Sequence, residues 1–262
     1  MASSISKINF ATDFPQINKI YEVAIAEYSL TIKSVDQSSD RLQLGVCIQI
    51  LKSVYNHLTS LKLLLESCYI ESGGAVATSL WEKSILLQFL LIDKEPRVNN
   101  YVTHDTFKKL PWHVKEMIKG IVETEVIPAG KSQNDMIDFF YLQYSYLCAI
   151  KHGNPYTLTY LNRLTDDENF FQPSPAISPV DKDIIGFIFI VSNTTLIKTL
   201  KSFSKHLCLA EQHDRLILLD KEITKSMKEI KLNMPQIIKT SPNDFRKEFR
   251  DYLEELDKKY IS

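Results

Sequence analysis

Hydrophobic residues recur at gaps of four and three along residues 47–68, which is the spacing of one face of an α-helix. Leu63 and Leu64 widen this stripe, as expected for a helix that packs into a core. The pattern therefore predicts a long amphipathic helix, broken where Gly73-Gly74 interrupts the repeat. The stripe consists of Cys47, Leu51, Val54, Leu58, Leu61, Leu65 and Cys68.

A second run, from about Val76 to Ile92, is apolar on most of its circumference and stops before Pro96. A helix that is apolar nearly all round belongs at the centre of a bundle. Because a short Gly-containing turn would join it to the first helix, we expect the two to form an antiparallel hairpin.

Shorter periodic segments follow Pro96. A polar stretch leads to a predicted helix from Pro111 or Trp112 to about Val126. Another helix then begins with Ser132 or Asn134 as its N-cap. It is predicted to end near residue 151, because Gly153 and Pro155 follow directly.

The C-terminal half predicts further helices. Asp181 can cap one that runs to about Leu209. Its opening, residues 184–191, is rich in β-branched and aromatic residues, so a strand competes there; the length of the segment favours a helix. The uncharged stretch 184–197 is shorter than a membrane span requires, which favours a buried core helix. Other helices are predicted at about 156–165, 211–233 and 241–260.

The predicted fold class is all-α: one multi-helix bundle spanning residues 1–262 around a central antiparallel helical hairpin. Residues 43–93 and 133–152 supply its antiparallel core. The core bundle covers about 43–165, and the C-terminal helices, about 181–260, pack on it.

Composition narrows the function classes. The chain of 262 residues is 44% hydrophobic and 24% charged, which is ordinary for a globular protein. Only 7 glycines are present, fewer than β-rich folds or phosphate-cradling loops use. A net charge of −1 gives no electrostatic reason for nonspecific binding to duplex nucleic acid. Four cysteines without a CxxC pair, and the absence of a signal-peptide pattern, predict a cytoplasmic protein with reduced thiols and no membrane span.

His152 is the most informative candidate for chemistry. Cys148, Ser145 and Tyr141 precede it by one, two and three helical turns, so all four share one helix face. At a helix C-terminus the macrodipole favours the protonated imidazole. Such a histidine can serve as a general acid or base or as a phosphate ligand; alternatively, it caps the last carbonyls and packs against the next loop.

A family resemblance enters through the stretch Tyr144-x-x-Leu147-Cys148-x-x-x-His152. It resembles the Tyr-x-x-Leu-Ser-x-x-x-His motif of an uncharacterised family of helical, mostly bacterial proteins. Upstream, Glu82 stands where a glutamate recurs in that family, and the acidic-Pro step Glu95-Pro96 closes the matching unit. The resemblance covers roughly residues 45–165. Two departures stand out: Cys148 replaces the Ser-like residue, and Thr78 stands where relatives commonly carry an arginine.

That family is in turn similar to the HEPN superfamily of helical bundles, many of which are dimeric, metal-independent ribonucleases of antiviral defence and toxin systems. The resemblance implies a prokaryotic protein that acts on RNA or nucleotides, as a homodimer, with neither metal nor cofactor. It assigns His152, Tyr144 and Glu82 as catalytic residues. Lys151, Arg163 and Asn154 are the expected substrate-binding residues.

The HEPN ribonucleases carry an Arg-x(4–6)-His motif, and Arg97 with His104 matches this spacing. Because about 0.4 such matches are expected by chance in a chain of this composition, we interpret it as a coincidence. Metal binding by Cys148 and His152, or by His206, Cys208 and His213, is not expected, since nothing fixes four ligands.

The rival hypothesis is a noncatalytic module. An antitoxin-like, sensor or scaffold protein would bind a partner protein through an apolar helical face. The missing arginine and the near-neutral charge favour it, so the residues leave open whether the protein is an enzyme.

Overall fold

The computed structural model describes residues 7–35, 41–92, 94–104, 111–125, 130, 132–151 and 179–229. Within these ranges all regular structure is helical and no strand occurs, so the predicted all-α fold class is confirmed. The helices are α1 (Phe10–Asp13), α2 (Pro15–Lys33), α3 (Arg41–Glu66), α4 (Ile70–Ile92), α5 (Lys94–Thr103), α6 (Val114–Val122), α7 (Gln133–Lys151), α8 (Pro179–His206) and α9 (Ala210–Glu229).

Helix α4 lies at the centre of the bundle. It packs against α3, α6, α7 and α8, and its side chains are buried on nearly every side. This is the position that its all-round apolar sequence predicts, because such a helix gains most from contact with several neighbours. Helix α7, which carries the candidate residues Tyr144 and Lys151, therefore lies directly against α4.

The stripe predicted on α3 is buried from Cys47 to Leu65. Cys68 differs, because α3 ends at Glu66 and Cys68 occupies the turn that follows. The inclusion of Leu63 in the stripe is wrong: its side chain is 67% exposed. Leu64, the other residue predicted to widen the stripe, is partly buried.

The turn of the central hairpin lies earlier than the sequence predicts. Tyr69 N–H donates to the carbonyl of Leu64 and Cys68 N–H to that of Leu65, which is a Schellman motif. Cys68 adopts the left-handed conformation there, with φ of 61°. The expectation of a break at Gly73-Gly74 is therefore wrong, because both glycines lie in the first turns of α4.

Those two glycines serve close packing instead. A Cβ atom on Gly74 would lie 2.5 Å from Cγ2 of Ile150 in α7, and one on Gly73 would lie 2.7 Å from Cδ2 of Leu65 in α3. Absence of a side chain lets both helices approach α4 closely at this end. The C-terminal turn of α7 is thus held directly against the start of α4.

Helix α8 occupies the segment where a strand competed. Residues Ile184 to Asn193 are buried, and the predicted core helix is observed, starting two residues before Asp181. By length and composition alone, Ile70–Ile92 and Lys182–His206 could each cross a membrane. Both are mostly buried inside the bundle, where a core helix meets the same criteria.

Several boundaries differ from the predictions. Helix α6 is shorter than predicted, and the N-cap of α7 is Ser132, whose Oγ accepts from the Asp135 amide at 3.1 Å.

Helices α1, α2 and α5 were not predicted. The buried face of α2 includes Glu27, which interrupts the apolar repeat, while α5 contains Pro96 in its first turn. The helices predicted at 156–165 and 241–260 lie outside the described residues.

Candidate functional site

Tyr144 and Glu82 are brought together, as their assignment to one site requires. The Tyr144 hydroxyl donates to Oε1 of Glu82 at 2.9 Å, which links α7 to α4. Both side chains are partly buried. The Tyr144 ring also stacks on the buried indole of Trp81, with ring centroids 5.2 Å apart. The phenol is therefore fixed at both its face and its hydroxyl.

Protonation follows from this environment. Burial, together with hydrogen bonds to Cys148 and Glu82, raises the pKa of Tyr144 far above its ordinary value. Burial likewise raises the pKa of the Cys148 thiol, although the nearby Tyr144 hydroxyl and Lys151 oppose this. Both groups hold their protons at neutral pH. Tyr144 and Cys148 can therefore donate hydrogen bonds, but they supply neither a phenolate base nor a thiolate nucleophile.

The remaining predicted residues divide into two groups. Lys151 is the last residue of α7 and is exposed, close enough to Cys148 to affect its pKa. His152, Asn154 and Arg163 lie outside the described residues. The face of α7 that the sequence predicts to include His152 is partly exposed to solvent. Tyr141 and Ser145 are exposed on it, while Cys148 is partly buried.

Arg97, half of the chance motif, has a packing role. Its Nη1 donates to the carbonyl of Phe89 at 2.9 Å, and its guanidinium lies 3.8 Å from the centroid of the Phe89 ring. These contacts join α5 to the end of α4.

Sequence reasoning missed a cavity of about 340 Å³ beside the first half of α7. Two lysines of α8 reach it, Lys198 and Lys201, and Lys201 pairs with Asp220 of α9 at 2.6 Å. The available signal was Lys198 itself, which interrupts an apolar stretch between buried Ile197 and buried Leu200. The lining residues are Gln88, Ile121, Val122, Glu125, Met136, Phe140, Lys198, Lys201, Asp220 and Thr224.

Metal ligation finds no support in the part of the chain that is described, where no three His, Cys, Asp or Glu side chains converge on one point. The four cysteines are free thiols. Cys208 is exposed in the turn that follows α8.

The fold and the site define a class: an all-α helical bundle in which a Tyr–Glu hydrogen bond joins two core helices. Comparison of the chain with protein-family models, curated proteins and solved structures finds no match.

Proposed function

We propose that this protein is a noncatalytic helical module that binds a partner protein through one end of α7. The observation that carries this proposal is the exposure of Phe139. Phe139 projects in nearly the same direction as Tyr146, seven residues later, since seven residues make almost two turns. Yet Phe139 is 49% exposed, whereas Tyr146 is 5% exposed.

Phe139 is thus uncovered, although Met136, Ile137 and Phe140 in the same half of α7 pack against the core. Leu142, three residues after Phe139 and therefore on the same side of the helix, is also an exposed large side chain. We call Phe139 and Leu142 the α7 patch. Exposed apolar clusters on a helix are a common feature of protein-binding surfaces.

Charges next to the α7 patch indicate the chemistry of the partner. Asp135 and Asp138 are exposed one turn before it. An amphipathic helix that sets apolar residues against Phe139 and Leu142, and carries Lys or Arg towards the two aspartates, would complement this surface. The Tyr144–Glu82 hydrogen bond supports a structural role for this pair, because it fastens α7 to α4.

Site-specific photo-crosslinking tests the proposal in cells of the source organism. Benzoylphenylalanine at Leu142 should give a discrete protein adduct, and the same residue at exposed Leu63 of α3 is the matched control. The crosslinked peptide should be a helical segment with an apolar face and basic ends. Phe139→Ser should reduce the adduct about fivefold or more, the effect of losing about 1 kcal/mol of binding.

Other outcomes contradict the proposal. They are equal adduct yields at Leu142 and Leu63, an adduct with a second copy of this chain alone, or none at all. An adduct that ribonuclease removes would favour the second candidate function.

That second candidate is a HEPN-like protein of prokaryotic defence that acts on RNA or nucleotides as a homodimer, with His152 as catalytic residue. It is favoured by the Tyr144–Glu82 contact, which joins two residues assigned to that site. It predicts metal-independent RNA cleavage that persists in a chelator and disappears in His152→Ala. Such cleavage would overturn the noncatalytic proposal. For both candidate functions we propose a cytoplasmic protein, because the four cysteines form no disulfide bond.

A further inference from the structure

The cavity is lined by residues of α4, α6, α7, α8 and α9 and by Glu125. Its lining does not include Tyr144, Glu82 or Phe139, although the ring of its wall residue Phe140 contacts that of Phe139, with centroids 6.1 Å apart. Gln88 of α4 contributes a polar group, and Ile121, Val122, Met136 and Phe140 give it apolar walls. Apolar concave sites with a few converging polar groups are where proteins bind small molecules.

Lys198 is the unusual member of the lining. Its side chain is partly buried, and its Nζ lies 5.3 Å from the centroid of the Phe140 ring. No hydrogen bond or ion pair to Lys198 occurs within the described ranges. Burial lowers the pKa of this lysine, although the charges of Asp220 and Glu125 oppose the effect. A charged ammonium group that is largely removed from water raises the free energy of the folded state unless an anion pairs with it.

Neither carboxylate of the described lining, Asp220 or Glu125, forms an ion pair with Lys198. Asp220 of α9 is engaged by Lys201 at 2.6 Å, and Glu125, after α6, is exposed. Lys198 therefore remains the cation of the described lining whose charge is not neutralised by direct contact. A bound carboxylate would supply the missing partner and its hydrogen bonds.

Size and charge restrict the ligand further. A cavity of about 340 Å³ lies at the lower end of the volumes that small-molecule sites occupy. A phosphate dianion would call for several donors, whereas this cavity offers one unpaired lysine beside two carboxylates. A singly charged acid with an apolar body fits both the cation and the walls.

We propose that this cavity binds a small organic carboxylate, with the carboxylate on Nζ of Lys198 and the apolar body against Phe140 and Met136. The site shares no residue with the proposed partner surface. Either proposal can therefore fail while the other stands.

Calorimetric titration of the full chain tests this inference with 3-phenylpropionate and octanoate as probes. The uncharged control ligand is 3-phenylpropanamide, which has the same shape as the first probe. We expect saturable binding of one acid per chain, about tenfold or more tighter than binding of the amide, as the loss of a charge-assisted contact implies.

The matched variants are Lys198→Met and Lys52→Met, which change the net charge equally. Lys52 is exposed on α3, far along the chain from the cavity. Lys198→Met should remove the preference for the acid over the amide, and Lys52→Met should keep it. Absence of saturable binding of both acids up to about 5 mM, or an undiminished preference in Lys198→Met, would overturn the proposal.

A second measurement needs no variant. The rate at which acetic anhydride modifies Lys198, read by mass spectrometry with Lys52 as internal reference, should fall when 3-phenylpropionate is added. The amide should slow it less, because an ion pair withdraws the amine from reaction and an amide does not. If 3-phenylpropionate leaves the modification rate of Lys198 unchanged, the proposed carboxylate site is contradicted. This result does not depend on whether Lys198→Met folds.

Discussion

The hydroxyl of Tyr144 donates a 2.9 Å hydrogen bond to Glu82 across the interface of α7 and α4. Trp81, adjacent to Glu82 on α4, stacks on the same phenol ring. One aromatic side chain thus joins the two helices through a polar and an apolar contact at once. This arrangement positions α7, and with it the exposed Phe139 and the end of the helix at Lys151.

Removal of this hydroxyl should destabilise the fold modestly. Tyr144→Phe leaves the partly buried Glu82 without its donor, and we expect a loss of about 1 kcal/mol in the free energy of unfolding. Urea denaturation measures it. The control is Tyr141→Phe, because Tyr141 is exposed on the same helix, and it should change stability by less than about 0.5 kcal/mol. Equal effects of the two variants would remove the structural role of the pair.

Cys148 should be a slow thiol. Since burial raises its pKa, little thiolate forms near neutral pH, and the thiolate is the species that reacts. With iodoacetamide at a pH of about 8, we expect Cys148 to be alkylated about tenfold or more slowly than exposed Cys208. Peptide mass spectrometry follows both sites in one sample. Faster reaction at Cys148 would mark an activated nucleophile and contradict the noncatalytic interpretation.

Two glycines in helices should respond to alanine in opposite directions. At Gly74 a new methyl group would meet Ile150 at 2.5 Å, so Gly74→Ala should cost about 1–3 kcal/mol through overpacking of α4 against α7. At Gly45, in α3, nothing lies within 4 Å of a new Cβ. Gly45→Ala should therefore stabilise the protein by about 0.5–1 kcal/mol, since alanine favours helix. Thermal unfolding of both variants gives the signs; a stabilising Gly74→Ala would show that the helices are less closely packed.

Cys208 occupies the turn between α8 and α9 in the left-handed conformation, with φ of 57°. Its amide donates to the carbonyl of Lys205, in the same motif that Cys68 forms after α3. A non-glycine residue pays about 1–2 kcal/mol in this conformation, partly offset by the flexibility of glycine in the unfolded chain. Cys208→Gly should raise Tm by about 1–4 °C. Cys208→Ala should give no such rise, and an equal gain in both would exclude relief of strain.

Lys198 should give stability a pH dependence that Lys198→Met lacks. Burial lowers the pKa of Lys198 in the folded state, so the unfolded chain binds more protons between that pKa and the ordinary lysine value of about 10.4. Stability therefore rises with pH in this window. Above a pH of about 10 the raised pKa values of Tyr21, Tyr28 and Tyr144 act in the opposite direction in both proteins.

The difference between the two proteins isolates the lysine. Lys198→Met should be the more stable at neutral pH, with an advantage that shrinks as the pH rises, by at most about 1.4 kcal/mol per unit. Urea denaturation at pH values from about 7 to 10 provides the measurement. An advantage that stays constant would mean that Lys198 titrates as it does in the unfolded chain.

The sequence by itself determined the helical class and the central hairpin, because the period of hydrophobic positions on α3 and α4 depends only on local helix geometry. The resemblance assigned Glu82 and Tyr144 to one site, and the structure places them in hydrogen-bond contact. The turn at Cys68 could not be predicted, since cysteine gives no signal for a left-handed conformation that its neighbours impose. Helix α2 was hidden because Glu27 sits on its buried face, where Arg215 of α9 neutralises it at 2.8 Å.

Tertiary structure alone decided which faces of these helices are covered. Phe139 and Tyr146 occupy equivalent directions on α7, yet only Tyr146 has neighbours that bury it. Lys198 stands among apolar residues in the sequence, and only the approach of α6, α7 and α9 makes it part of a cavity wall. The spacing of residues along a helix determines the direction in which each side chain projects. Whether that side chain is buried, and which charges surround it, depends on helices that are distant in the sequence.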